Sequence, residues 1–160
     1  MKRLAGVLLF LAVPSLTFRS PAQESRIGTF DRPAIVIAFY GSPQWMATLK
    51  QKRAEMEEAK RSNDAARIKE LNEWGGQSQE LAHQQLMGKA GIGNILDVLQ
   101  PAFEQIEQSE DLSGIVPAPA RAPKTQTVDV TEQLLDWLKA NENTRKTIRD
   151  FEEYSLAHPQ

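Results

Sequence analysis

Pro33-Ala34-Ile35-Val36-Ile37-Ala38-Phe39-Tyr40 is a continuous apolar stretch rich in β-branched and aromatic residues. Eight residues of this kind, stopped by Gly41-Ser42-Pro43, read as a β-strand buried on both faces. The polar residues before it, 23 to 32, read as frayed chain. After it, Ser42 is a helix cap and Pro43 suits the first helical position.

The pattern turns helical at Gln44. Trp45, Met46, Leu49 and Met56 fall at helix spacing, separated by Lys50, Lys52, Arg53, Glu55, Glu57, Glu58, Lys60 and Arg61. So thin an apolar stripe cannot face a core. It fits an exposed helix packed along one seam, about 27 Å long over Gln44 to Arg61. Ser62-Asn63-Asp64 predicts a turn, and a second helix begins at Ala65 with Ile68, Leu71 and Trp74 on its apolar side. The two segments predict an antiparallel helical hairpin. Gly75-Gly76 is expected to interrupt its second arm, which resumes weakly over Gln77 to Met87 with Leu81 and Leu86.

Gly88, Gly91 and Gly93 mark a looser joint, with Asn94 as the expected cap of a further helix. There Ile95, Leu96, Leu99, Phe103 and Ile106 recur at helical spacing, and Pro101 predicts a kink or a restart. Leu112 to Val116 and Thr127 to Val130 read as short strands, and the proline-rich residues from Pro117 to Pro123 as extended chain between them. Asp129-Val130-Thr131-Glu132 has the capping-box pattern and leads into a helix bearing Leu134, Leu135, Trp137 and Leu138. Helix is expected to continue over 141 to 156 with Ile148, Phe151 and Leu156 apolar. Trp45 and Trp137 are expected in the core, and Trp74 either in the seam between the arms or exposed to grip a partner.

At the start of the chain, Met1-Lys2-Arg3 precedes an apolar run over Leu4 to Leu16. Ser20-Pro21-Ala22 follows, with small residues where a signal peptidase reads. Residues 1 to 22 therefore read as a secretory signal peptide cut before Gln23, too short in apolar length for a spanning helix. Its removal takes Lys2, Arg3 and Arg19. That leaves 16 basic and 21 acidic residues, a net charge of −5. This balance argues against a nucleic-acid binder. The absence of cysteine excludes disulfides and a lipid anchor on cysteine. The rest, residues 23 to 160, reads as one domain without stable membrane insertion.

Chemical motifs are weak. Gly88-Lys-Ala-Gly-Ile-Gly93 follows a helix, not a strand, and lacks the Gly-Lys-Ser/Thr ending of a phosphate loop. Glu80 and His83 share a helix face, but a di-metal bundle needs two such pairs. There is no nucleophile elbow, and Glu104 and Glu107 read as solvated helix charges. No catalytic, cofactor-binding or metal-binding residue is assigned, and the protein reads as a binder, not an enzyme.

The order of elements resembles the periplasmic OmpH/Skp chaperone family. The matching pieces are Ala34-Ile-Val-Ile37 as the first strand, the hairpin with its tip at Ser62-Asn-Asp64, and Asn94 to Gln108. Leu112 to Val116 follows, and then Val128-Asp-Val-Thr131 leading into Leu134-Leu135-x-x-Leu138. The resemblance covers about residues 33 to 140 and rests on short motifs. It implies an α+β fold: a small β-sheet body, a protruding antiparallel helical hairpin with arms over about 43 to 108, and a C-terminal helical extension over 141 to 160. It also implies a homotrimer whose arms hold unfolded outer-membrane proteins, without cofactors. The chain departs from the family in its negative charge, its shorter arms, the glycines and Pro101 of the returning arm, and the extension past residue 140. Candidate client-binding residues are Met56 and Trp74. The alternatives are an envelope structural or interaction protein that keeps the scaffold without holding clients, and a small secreted hydrolase.

Overall fold

The computed structural model describes residues 26–118 and 127–158. The signal-peptide expectation and most of the proline-rich stretch lie outside them. Among the described residues nine elements follow one another: β1 (Arg26–Phe30), α1 (Arg32–Gly41), α2 (Pro43–Arg61), α3 (Ala65–Leu86), α4 (Gly93–Glu110), β2 (Leu112–Pro117), β3 (Thr127–Asp129), α5 (Thr131–Trp137) and α6 (Glu142–Ala157). The class is mixed α and β, as expected.

The decisive stretch is corrected. Pro33 to Tyr40 is helix α1, not a strand. The Asp31 carboxylate accepts the Ala34 N–H at 2.6 Å, and Pro33 sits in the first turn, where its missing N–H costs nothing. A run apolar in every direction suits a helix buried on most sides as well as a two-sided strand. Ala34, Ile35, Val36, Ala38 and Phe39 are all buried. The strand lies just before it, in residues expected to be frayed, so the first matching piece of the family resemblance falls on a helix.

β1 is central in a three-stranded sheet of order β2-β1-β3, parallel on both sides. Gly28 faces Ile115 and Val128 in register. A Cβ there would stand 2.8 Å from Ile115 Cγ1 and 3.0 Å from Leu112 Cδ1, so only glycine lets β2 side chains fold across the strand. Phe30, on the same face as Gly28, stacks on Phe103 of α4 at 6.1 Å. Ile95, Leu99, Ala102, Phe103 and Ile106 form one buried stripe along α4. Leu134 and Leu135 of α5, Leu138 just after it and Ile148 of α6 close the core.

Further expectations change. α3 runs unbroken through Gly75-Gly76, and α4 continues through Pro101 without a restart. Pro101 is on the exposed side of α4, so the proline leaves its buried stripe in place. Asn94 does not cap α4. Its side chain accepts instead from Gln85. The capping box at Asp129 does not form: Asp129 accepts from the Thr131 N–H and hydroxyl, and Glu132 pairs with Arg145. Thr131 Oγ1 in turn accepts the Asp31 N–H at 2.9 Å, joining the ends of β1 and β3. Trp137 is 43% exposed, because the core face of the seven-residue α5 is taken by its leucines.

Candidate functional site

α2 and α3 together contribute little to the core. Only Ala59 is buried along the 19 residues of α2, and only Leu71 and Gln85 along the 22 of α3. Their mutual contacts form a narrow seam. Near the body, Trp45 stacks on Trp74 at 6.1 Å with an interplanar angle of 28°. Trp45 also meets Phe39 and Tyr40, so the aromatic line reaches the core. Farther along, Arg67 donates to Glu55 at 2.5 Å and to Glu70. Hydrogen bonding from Lys52 is the main reason that the Glu55 carboxyl is held below its ordinary pKa, and Glu70 is the main reason that the Arg67 guanidinium is pushed above its own. The turn between the helices is as expected: Asn63 takes a left-handed conformation and the Asp64 side chain caps α3 through the Arg67 N–H.

A groove of about 340 Å³ lies along this seam. Leu49, Met56, Leu71 and Trp74 supply its apolar surface, and Lys52, Arg53, Glu57 and Lys60 its charged rim. The spacing of 49, 52, 53, 56 and 60 puts these side chains on one stripe of α2. Lys52 Nζ stands 5.7 Å over the Trp74 ring, a cation–π contact. A second cavity of about 210 Å³ adjoins it, sharing Leu49, Trp74 and Gly75. Gly75 therefore lines both. A Cβ at Gly75 or Gly76 would meet nothing within 4 Å, so these glycines leave open space in a continuous helix instead of breaking it. The dipeptide signalled something special beside Trp74, but one sequence could not distinguish a break from missing side-chain volume.

The two candidate client-binding residues are thus brought together: Met56 and Trp74 line the same groove, both half-buried. Compared with family models, curated proteins and solved structures, the chain has no match. The groove must be read from its own chemistry.

Sequence reasoning missed the group that anchors the pair to the body. Gln85 is 1% exposed. Its carbonyl oxygen accepts from Tyr40 Oη at 2.8 Å, and its amide donates to the Gly91 carbonyl at 2.8 Å and to Asn94 Oδ1 at 2.6 Å. One side chain ties α1, α3, the glycine joint and α4. Burial raises the Tyr40 phenol above its ordinary pKa. A glutamine in a polar helix carries no mark of this; only its position opposite Tyr40 does.

The remaining motifs resolve simply. The glycine joint over 88 to 93 holds Gly88 at φ +73°, and its Ala90 carbonyl accepts from Arg32. Glu80 accepts from Gln84, and His83 is exposed. Among the described residues no cluster of three or more His, Asp or Glu could hold a metal, and no helix is long and apolar enough to cross a membrane. On the sheet, Gly28 and Phe30 face the core, and Arg26 is exposed. Ile27, in β1, and Val116, in register with Thr29, belong to the opposite face and are 41% and 45% exposed. Parallel sheets normally have both faces covered.

Proposed function

We propose that the protein is an exported, OmpH/Skp-like chaperone that binds unfolded or outer-membrane proteins through paired helical arms and does no catalysis. The observation that carries this reading is the α2–α3 pair itself: two long helices that bury almost nothing in their own core yet keep an apolar groove with a charged rim. A domain stabilised by burial has no need of such a pair, whereas a binder that holds flexible chains by many weak contacts does.

In this reading α2 and α3 run antiparallel as one protruding arm. The contacts Trp45–Trp74 and Glu55–Arg67 support it, because residues move toward the turn on one helix as they move back from it on the other. Three copies would surround a client, their sheets meeting through the exposed Ile27 and Val116 and through the edge strands β2 and β3. Met56 and Trp74 would touch the client.

The test is solution mass together with aggregation of a urea-unfolded outer-membrane protein on dilution. A trimer that suppresses aggregation in proportion to its concentration is expected. A stable monomer without effect on aggregation would end this reading.

A further inference from the structure

The end of α6 is built unlike the rest of the body. Thr144 and Ile148 are buried and Phe151 is half-buried, but every residue from Glu152 to His158 is exposed. The last two turns are therefore supported on one side only, where Tyr154, Ser155 and His158 line a cavity with Pro33, Leu86 and Met87. Tyr154 stacks on His158 at 4.4 Å. Leu156, 83% exposed, lies three and four residues after Glu153 and Glu152, so one face of these turns is an apolar side chain between two carboxylates. Neither glutamate has an ion-pair partner among the described residues. Partial desolvation, with Asp31 and Glu132 nearby, raises the Glu152 carboxyl above its ordinary pKa against the opposing effect of Arg149.

The arm groove is the complement. Its apolar surface carries Met56 and Trp74, and on its rim Lys52 pairs with Glu55 at 3.1 Å and Lys60 with Glu57 at 2.9 Å, which leaves Arg53 as the unpaired rim cation. Arg53 has no ion-pair or hydrogen-bond partner among the described residues. Within one chain the two surfaces are kept apart. The α6 end meets α3 at Leu86, and Trp74 is twelve residues away along that helix, about 18 Å.

We infer that the end of α6 docks into the arm groove of a second copy, with Leu156 against Met56 and Trp74, and Glu153 against Arg53. The contact occupies the groove that a client would use, so it would set a threshold for client entry. The docking itself needs no client, whereas the threshold rests on the chaperone reading.

The absence of cysteine makes the test direct. Met56→Cys and Leu156→Cys chains are mixed under mild oxidation and run without reductant. The mixed disulfide is expected to form about tenfold faster than with Gln77→Cys in place of Met56→Cys, through local concentration. Arg53→Glu or Glu153→Lys should slow it, and the two together should restore it. Cross-linking no faster than the control, or no restoration by the paired reversal, would overturn the inference. So would a disulfide closing within one doubly substituted chain at high dilution, which would place the contact inside a single copy.

Discussion

Trp45 and Trp74 stack at 6.1 Å, and through this one contact the seam between α2 and α3 is joined to the aromatic side of the core. Replacing Trp74 with alanine should loosen the pair while leaving the body folded. Amide exchange in α2 and α3 should speed up, with the amides of α4 and α5 unchanged. A double-mutant cycle with Trp45→Ala should give a coupling of about 1 kcal/mol, as expected for an aromatic pair. Additive effects would show that the stacking contributes nothing to stability.

Gln85 and Tyr40 hold the root of the same pair. Gln85→Leu keeps the volume but leaves the Tyr40 hydroxyl, the Gly91 carbonyl and Asn94 without their partner. A loss of about 2–3 kcal/mol in denaturant unfolding is expected. Because burial raises the folded pKa of Tyr40, its contribution is complete below the ordinary tyrosine value and is lost as pH rises through the folded value. Tyr40→Phe should remove that alkaline component, read from stability measured against pH.

At acid pH the sign reverses. Glu55 has a lowered folded pKa, first through Lys52 and also through Arg67. The stability it contributes is complete above the ordinary glutamate value and is lost as pH falls through the folded value. Exchange protection in α2 and α3, taken relative to the intrinsic rate at each pH, should therefore fall as pH drops below the ordinary range. Glu55→Gln should remove this dependence. The exposure of the pair keeps the effect small and sensitive to salt.

Gly75 and Gly76 separate stability from groove shape. Both are helical with open space at the missing Cβ. Each substitution by alanine should stabilise by about 0.5–1 kcal/mol in thermal unfolding. Only Gly75 lines the groove, so Gly75→Ala should also narrow it and change Trp74 fluorescence, and Gly76→Ala should not. Destabilisation by both would mean that the helix needs glycine there for a backbone reason.

Sequence alone settled whatever depends on neighbours along the chain. Ser42 and Pro43 start α2, Asn63 and Asp64 turn and cap, the stripe from Ile95 to Ile106 packs as one face, and Leu112 opens a strand, all by local rules of capping and period. Charge density along α2 and α3 already showed that they could not enter a core, and Met56 and Trp74 were legible as their apolar points. Where two arrangements satisfy the same local pattern, tertiary structure decided. Pro33 to Tyr40 is apolar on every side and became a helix, because the strand position beside β2 and β3 is taken by Arg26–Phe30, whose Gly28 alone admits the neighbouring side chains. Gly75-Gly76 and Pro101 stayed helical because contacts elsewhere along α3 and α4 outweigh a cost of roughly one to three kcal/mol per residue. Asn94 gave up its capping role to a buried glutamine nine residues earlier. The burial of Gln85 depends on Tyr40, forty-five residues away, and no local pattern contains that contact.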